Sequence, residues 1–268
     1  MSLSFTTHRF LLDFSAAVVA FAMSSPILAG EKDKKNGPDN KPERSTARVL
    51  IMTGEEHHRW QDTLPVVKKL LAEDKRLKVS VNEDLPSLGT TDLSKYDVMV
   101  MHFQNQTPKV PGEKGYRNLE QFVKNGGGLV MIHFACGAFQ ERPEFVKLAG
   151  RVWNPKFRPH DPHGKFRVDI AEADHPITNG MKSFETVDEL YTCLDGHTPI
   201  TILATAKSKV DGKVYPMAFV LDYGKGRVFQ CELGHDVQAF EAPEARELYR
   251  RATAWCAGLN LENERSPE

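Results

Sequence analysis

The chain has 268 residues, of which 40% are apolar and 9% aromatic, a composition typical of a globular protein with a packed core. Its 35 Lys and Arg residues almost balance its 36 Asp and Glu residues. This balance excludes a whole-molecule charge that would attract nucleic acid or an anionic membrane, and it suits a small, polar, uncharged partner.

The first thirty residues differ in composition from the rest of the chain. A largely apolar run from Phe10 to Met23 is short for a bilayer span and is followed by small residues. We therefore predict a signal peptide over 1–29, export, and no other contact with a membrane. Asp13 lies inside the run and leaves open an uncleaved anchor or a wrongly assigned start. The charged segment that follows predicts a flexible linker over 30–46.

The remainder of the chain predicts one domain over 47–258 and a tail over 259–268. In the first half, apolar runs alternate with helical patterns, which predicts strands and helices in turn. The predicted strands are 47–52, 77–81, 96–103 and 129–133, and the predicted helices include 60–71 and 119–123. The third strand is apolar nearly throughout, as expected for a strand covered on both faces. This order predicts an α/β fold with a doubly wound, mostly parallel sheet.

The second half is richer in strand-like segments and turn signals. These strands are predicted at 166–170, 199–206, 217–221 and 227–233. The turn residues Asp211-Gly212 and Tyr223 to Gly226 indicate β-hairpins added to the parallel sheet. A final helix is predicted from about Pro243.

Four cysteines stand far apart in the sequence, and they are Cys136, Cys193, Cys231 and Cys256. The absence of a C-x-x-C pair excludes a zinc knuckle or a thioredoxin motif. A disulfide is left open, because export would permit one.

Polar side chains follow four of the predicted strands, at the edge where open α/β sheets bind ligands. The candidates at these strand ends are His58, Gln104, His133, His235 and Asp236. Each histidine taken singly could be a hydrogen-bonded core or loop residue. Their recurrence at one sheet edge favours a functional site.

The middle of the chain adds further candidates. Residues 157–163 place His160 and His163 in a proline-containing segment that could present imidazoles to a metal or a sugar, or could be a surface loop. An extended segment from Asp188 would turn Glu189 and Tyr191 to one face, which makes Glu189 a candidate base or ligand.

Trp60 follows the first strand closely enough to stack against a sugar ring, although a core position is equally compatible with the sequence.

Several segments, in their order along the chain, resemble the ThuA-like (trehalose-utilisation) family from about residue 47 to 257. They include GGGLVMIH, HPI, DELY, and GRVF followed by LGHD. The set is specific in combination. The resemblance implies a flavodoxin-like fold of the class I glutamine-amidotransferase type and a role in the metabolism of trehalose and keto-sugars. It does not supply a reaction.

In the amidotransferase relatives that this resemblance implies, a buried strand leads into a sharp turn with a nucleophilic cysteine, which a later histidine activates. This chain has His133 at the turn. Cys136 follows three residues later, and we predict it in the first turn of a helix whose dipole would lower its pKa. Glutaminase activity is therefore not expected. His235, at the place of the activating histidine, remains an acid, a base or a ligand, and a cysteine hydrolase that pairs Cys136 with His235 is left open.

We predict an enzyme that isomerises, epimerises, cleaves or hydrolyses a disaccharide or its keto derivative by proton transfer, with His133, His235 and Glu189 as catalytic groups. The predicted substrate contacts are His58, Trp60, Gln104, Cys136, Tyr191 and Asp236. A divalent metal, zinc or similar, held by His133, His160 and His235 is left open, as is a homodimer. The alternative function is a sugar-binding accessory protein without turnover.

Overall fold

The computed structural model describes residues 44–54, 57–105 and 109–261. The predicted signal peptide, the predicted linker up to residue 43 and the last seven residues of the predicted tail lie outside this part of the chain. Among the described residues, no helix is both long and apolar enough to cross a membrane.

The described residues form one sheet of nine strands with helices on its two faces. The strands are β1 (Ala47–Met52), β2 (Leu77–Asn82), β3 (Val98–Met101), β4 (Gly128–Ile132), β5 (Gly164–Ile170), β6 (Phe184–Asp188), β7 (Thr201–Lys207), β8 (Val214–Tyr223) and β9 (Gly226–Cys231). The α-helices are α1 (Trp60–Ala72), α2 (Gly112–Lys124), α3 (Phe145–Ala149) and α4 (Pro243–Cys256). The strand order is β2-β1-β3-β4-β9-β8-β7-β5-β6.

The predicted α/β class is confirmed, but the prediction of a mostly parallel sheet is wrong. Strands β2, β1, β3, β4 and β9 run parallel, whereas every pairing from β9 through β8, β7 and β5 to β6 is antiparallel. The reason lies in the connections, because parallel neighbours need a crossover while short turns join antiparallel ones. Only Gly224 and Lys225 separate β8 from β9. The two predicted hairpins, β7–β8 and β8–β9, thus account for three of the nine strands of this sheet.

The central strands are buried on both faces, as predicted for the third strand. Alternate residues point to opposite sides of a strand. In β1, Val49 and Ile51 pack in the same core as α1 and α4, whereas Leu50 and Met52 pack in the core beneath α2. The parallel half is therefore a three-layer arrangement in which the strand ends emerge between the two helical layers.

Residues on either side of the predicted domain, 47–258, also contact the fold. Arg44, inside the predicted linker, forms a β-bridge with Leu259, the first residue of the predicted tail. Leu261 is also buried in the core. A short helix, α3, and several 3₁₀ segments add to the predicted elements. All four cysteines are free thiols, so the disulfide that export would permit does not form.

A Gly226→Ala variant is expected to lose about 1–3 kcal/mol of unfolding free energy, because overpacking a tight site costs about this much. A Cβ at position 226 would lie 2.2 Å from the Val123 carbonyl oxygen and 2.4 Å from that of Gly127. Urea denaturation measures the loss. Gly164→Ala is the control, since its Cβ would meet only the Pro162 oxygen at 3.9 Å. Equal stability of the two variants would contradict the prediction.

Asp97, directly before β3, links this strand to β1 near the amino ends of both strands. Its carboxylate accepts a hydrogen bond from the Arg48 backbone N–H at 2.8 Å and pairs with the guanidinium groups of Arg48 and Arg44. Burial raises the pKa of Asp97, but the hydrogen bonds from Arg48 and the charge of Arg44 outweigh it and hold the pKa below its usual value.

An Asp97→Asn variant is therefore expected to lose about 1–2 kcal/mol of unfolding free energy at pH 7, the lower part of the range for hydrogen bonds to a charged group, because both arginines are partly exposed to solvent. The folded pKa is depressed, so the stabilisation is complete above the unfolded pKa of about 4 and is lost as the pH falls through the folded pKa. Denaturation at pH 7 and pH 3 measures both effects, with Asp222→Asn on exposed chain as control. A deficit that stays constant down to pH 3 would refute the titration argument.

Candidate active site

Four side chains meet at the carboxyl edge of the sheet. His58 comes from the loop after β1, His133 directly follows β4, Glu189 directly follows β6, and His235 lies shortly after β9. One donor atom from each of the four lies within 4.8 Å of the others. We call these four residues the His–Glu cluster. It contains the three predicted catalytic residues together with His58, which was predicted as a substrate contact.

His133 sits at a sharp turn between β4 and a 3₁₀ helix over His133–Gly137. Its φ of +47° is in the left-handed region, which residues other than glycine rarely adopt. The imidazole is buried, and its Nδ1 lies 2.7 Å from the Glu232 carbonyl oxygen. Burial, followed by the nearby charge of His58, lowers the pKa of His133 well below its usual value, so the ring is neutral.

Glu189 is the acidic member of the cluster. Its Oε2 lies 3.1 Å from His235 Nδ1 and 3.8 Å from His133 Nε2, and its Oε1 lies 3.6 Å from His160 Nδ1. Burial raises the pKa of Glu189, but His235 and the charge of His160 outweigh it and hold the pKa below its usual value. Contact with Glu189 in turn raises the pKa of His235. The site thus joins a carboxylate to imidazoles of differing basicity.

Asp188 supports the site from below and was not predicted as a site residue. Its buried carboxylate accepts hydrogen bonds from the backbone N–H groups of Gly234 at 2.7 Å, His235 at 3.2 Å and Glu189 at 2.7 Å. Burial raises the pKa of Asp188 to about 7, against the opposing effect of these donors. One side chain therefore fixes the backbone that carries both Glu189 and His235.

Aromatic rings surround the cluster. The His58 ring lies edge-on to His133 and His235, with centroid distances of 4.8 and 4.5 Å. Tyr191 packs at 4.5 Å against His133, which brings it to the cluster together with Glu189. Phe134, which the sequence analysis missed, contacts His58 at 5.4 Å. These rings limit the access of water to the inner side of the cluster.

The two histidines of the 157–163 segment lie at the margin of the cluster. The His160 ring stacks on Tyr191, and its Nδ1 is 2.8 Å from the Asp161 carbonyl oxygen. His163 Nε2 lies 3.2 Å from Asp236 Oδ2. A second, more exposed group of neighbouring donor atoms is formed by His163, Asp236 and His235. The segment thus faces the site from the antiparallel half of the sheet.

The position of Cys136 differs from the prediction. The residue lies in the 3₁₀ helix after His133 rather than in the first turn of an α-helix, and its side chain is fully buried. Burial, with the nearby charge of Glu232, raises the pKa of its thiol well above the usual value. A short 3₁₀ turn does not provide the dipole that would activate a thiolate. The structure therefore gives Cys136 a buried side chain and a thiol that is not activated.

Two other predicted substrate contacts, Gln104 and Trp60, make contacts within the protein itself. Gln104 is buried, and its Nε2 donates to the carbonyl oxygens of Asn105 and Gly137, which holds the turn after His133 in place. Trp60 begins α1 and packs against the core, in line with the alternative that the sequence left open. His102, at the end of β3, has Thr53 and Thr63 hydroxyl groups 3.0 Å from its two ring nitrogens and is a core histidine.

A cavity of about 420 Å³ opens beside the cluster. It is lined by His57, His58, Arg59, Asp62, Thr63, His235, Asp236 and Val237. A larger cavity, of about 520 Å³, lies at the opposite edge of the sheet around Arg48 and Asp97. The smaller cavity is lined by two members of the His–Glu cluster, His58 and His235, and the larger one by none of them.

Glu232 and Asp188 could have been suspected from the sequence only through their context. Glu232 interrupts the otherwise buried run VFQCEL, and a carboxyl group in such a run must have a partner or become neutral. Gln230 donates to its carboxyl group at 2.6 Å, and burial raises its pKa to about 8. Phe134 carried no signal, because apolar residues after a buried strand are common.

The fold and the site together define an α/β protein with a buried histidine–carboxylate site at the carboxyl ends of its strands. The family model described as ThuA, trehalose utilisation, matches residues 48–256. The chain therefore belongs to the ThuA family. No curated protein matches the sequence.

Proteins of known structure that are similar to this chain include two ThuA-like proteins. A putative ThuA-like protein from Parabacteroides merdae is 25% identical, with a TM-score of 0.71, and the match covers 79% of this chain and 90% of that one. A second putative ThuA-like protein, from Bacteroides uniformis, is 20% identical with a TM-score of 0.64, and the match covers 82% of this chain and 95% of that one. At 20% identity, the similarity to the second protein supports a shared fold alone.

Proposed function

We propose that this chain is a carbohydrate-active enzyme that isomerises, epimerises, cleaves or hydrolyses a disaccharide or its keto derivative by proton transfer at the His–Glu cluster. The observation that carries the proposal is the Glu189 carboxylate, which lies 3.1 Å from His235 and 3.8 Å from His133. A base beside imidazoles that can give or take a proton is what chemistry next to a sugar carbonyl requires. Membership of a trehalose-utilisation family supports a sugar substrate.

Glu189 is the proposed base. It removes the proton from the carbon next to the carbonyl group, the C–H electrons form a C=C bond, and the carbonyl oxygen takes a proton from an imidazole. His235 suits the acid role, because its contact with Glu189 raises its pKa. In isomerisation, a proton returns to the former carbonyl carbon while the hydroxyl group on the adjacent carbon loses its proton and becomes the new carbonyl group. In epimerisation, a proton returns to the original carbon from the opposite face while the enol oxygen loses its proton and the carbonyl group re-forms. In elimination, the enol oxygen loses its proton, the carbonyl group re-forms, and the electrons of the C=C bond expel the glycosidic oxygen one carbon further on, which takes a proton from an imidazole and leaves as a hydroxyl group.

The cavity beside the cluster supports a small polar substrate. Its volume of about 420 Å³ is within the range of small-molecule sites, which is about 300–1,000 Å³. Arg59 and Asp62 at its wall can exchange hydrogen bonds with sugar hydroxyl groups, while His58 and His235 connect it to the cluster. His58 and Asp236 thus keep their proposed roles as substrate contacts.

Glutaminase and cysteine-hydrolase activities are not proposed. The strained turn after β4 carries His133, and Cys136 is a buried thiol with a raised pKa. A thiol in this state supplies little thiolate for attack. Full activity of a Cys136→Ala variant is the result that this view requires.

The proposal is tested by incubating the protein with a panel of disaccharides and their keto derivatives and analysing the products by mass spectrometry and NMR. The expected result is a changed sugar from at least one keto-disaccharide. The substitution of a histidine for a nucleophile at the turn favours the second candidate function, a sugar-binding accessory protein. Saturable binding measured by calorimetry, with no altered sugar across the panel, would establish that candidate instead.

A further inference from the structure

We propose that the His–Glu cluster is a binding site for one divalent transition-metal ion of the zinc and cobalt type, with His58, His133, His235 and Glu189 as its ligands. The inference rests on the proposed function and deepens it, because Glu189 Oε2 and His235 Nδ1 are the ligand atoms, whereas Glu189 Oε1 and His235 Nε2 remain for the proposed proton transfers. Its basis is geometric, since a single donor atom from each of the four residues falls within 4.8 Å of the other three.

His133 is oriented as a metal ligand. A carbonyl oxygen only accepts hydrogen bonds, so Nδ1 of His133 must carry the proton that it shares with the Glu232 oxygen at 2.7 Å. The lone pair of the neutral ring is then on Nε2. That atom is buried and has no hydrogen-bond partner in the structure. An outer hydrogen bond that fixes the ring and exposes the other nitrogen is the usual arrangement of a metal-binding histidine.

The distances between donor atoms agree with a common ion. Glu189 Oε2 lies 3.1 Å from His235 Nδ1 and 3.8 Å from His133 Nε2. Around a tetrahedral zinc with bonds of about 2.0–2.1 Å, neighbouring ligand atoms are about 3.4 Å apart. His235 Nδ1 is buried and lacks hydrogen-bond geometry towards Glu189 despite the short distance. The separations thus suit neighbouring ligands of a single ion.

The backbone holds the ligands in place before any ion arrives. Asp188 fixes the backbone of Glu189 and His235, and the left-handed turn fixes His133. The His58 ring packs against the rings of His133 and His235, and these contacts restrict the rotation of its side chain. A site built in this way requires little rearrangement on binding.

The assignment differs from the metal set predicted from the sequence, which contained His160 and lacked His58 and Glu189. Nδ1 of His160 donates to the Asp161 carbonyl oxygen and faces Glu189 Oε1, the other oxygen of the carboxylate. His160 is thus placed to orient Glu189 rather than to bind the ion. Three imidazoles and one carboxylate favour zinc, cobalt or nickel over magnesium and calcium, which prefer oxygen ligands. Such an ion would polarise a sugar carbonyl.

The test uses the full chain, stripped of metal by a chelator and dialysed, and titrated with Co²⁺. Absorption spectroscopy reports the coordination of the ion, and calorimetry reports stoichiometry and affinity. The wild-type protein is expected to bind one Co²⁺ that Zn²⁺ displaces. His133→Ala and Glu189→Gln are each expected to weaken binding by at least about tenfold. His197→Ala, at an exposed histidine before β7, is the control and is expected to bind as the wild type does.

Folded wild-type protein, verified by circular dichroism, that binds no Co²⁺ stoichiometrically would overturn the inference, as would unchanged affinity in both cluster variants. Glu189→Gln preserves the shape of the side chain and guards against misfolding of the histidine variant. The metal site and the proposed function can fail separately. Turnover by folded protein that binds neither Co²⁺ nor Zn²⁺ would refute the metal site alone, whereas stoichiometric binding without any turnover would refute the enzymatic function alone.

Discussion

A Glu189→Gln variant is expected to convert a keto-disaccharide at least about 100-fold more slowly than the wild-type protein, because loss of a positioned base typically costs about 100- to 10,000-fold in rate. Glutamine has the shape of glutamate but cannot accept the proton. Within the cluster, Glu189 is the sole carboxylate, and its Oε2 lies 3.1 Å from His235 Nδ1. The pKa of Glu189, held below its usual value, keeps the side chain ionised at neutral pH.

Steady-state kinetics with calorimetry of sugar binding measure this effect. The fall is expected in kcat, while the sugar continues to bind, because the cavity wall is unaltered. Glu185→Gln is the matched control, since Glu185 is an exposed residue of β6, the strand that Glu189 directly follows, and pairs with Lys165 at 2.5 Å. A kcat of Glu189→Gln within a few fold of the wild-type value would exclude Glu189 as the base.

An Asp188→Leu variant is expected to lose at least about 3 kcal/mol of unfolding free energy and to lose turnover with it. Leucine keeps the branched shape of aspartate but leaves three backbone N–H groups, those of Gly234, His235 and Glu189, without their acceptor. Each unsatisfied buried donor costs about 1–3 kcal/mol. The loss of turnover follows because the same three groups hold Glu189 and His235 in place.

Urea denaturation gives the stability change, and circular dichroism confirms that the variant is folded before kinetics are measured. The control is Asp222→Leu, on an exposed position of β8, which is expected to change stability by no more than about 0.5 kcal/mol. Asp188→Asn retains one acceptor oxygen and is expected to fall between the wild type and the leucine variant. Equal stability of the Asp188→Leu and Asp222→Leu variants would show that Asp188 does not carry the backbone at this site.

The parallel half of the fold could be predicted from the sequence because its strands are short apolar runs with clear ends. β1 was predicted over the residues that it occupies, Ala47–Met52. In the antiparallel half, the sequence analysis predicted no strand at Phe184–Asp188, where the structure has β6. Its residues alternate in burial at one edge of the sheet, which gives a weaker signal than a fully apolar run.

The position of the candidate site followed from the rule that ligands bind beyond the carboxyl ends of strands, which placed His133 and His235 at one edge. His58 reaches the cluster because of the conformation of the loop after β1. The spacing of residues in the sequence does not determine that conformation. The partners of Cys136 and Gln104 were also beyond prediction, because burial is decided by tertiary packing. The supporting role of Asp188 could not be predicted, because two of its three backbone partners, Gly234 and His235, are distant in the sequence.

Proton transfer from carbon is the central claim, and incubation of the wild-type protein with a keto-disaccharide in heavy water tests it most directly. Mass spectrometry and NMR of the recovered sugar report deuterium at the carbon next to the carbonyl group. The account predicts deuterium there with the wild-type protein and the Glu185→Gln variant, and none above background with Glu189→Gln. A keto-disaccharide that binds saturably yet gains no deuterium and undergoes no change would contradict it.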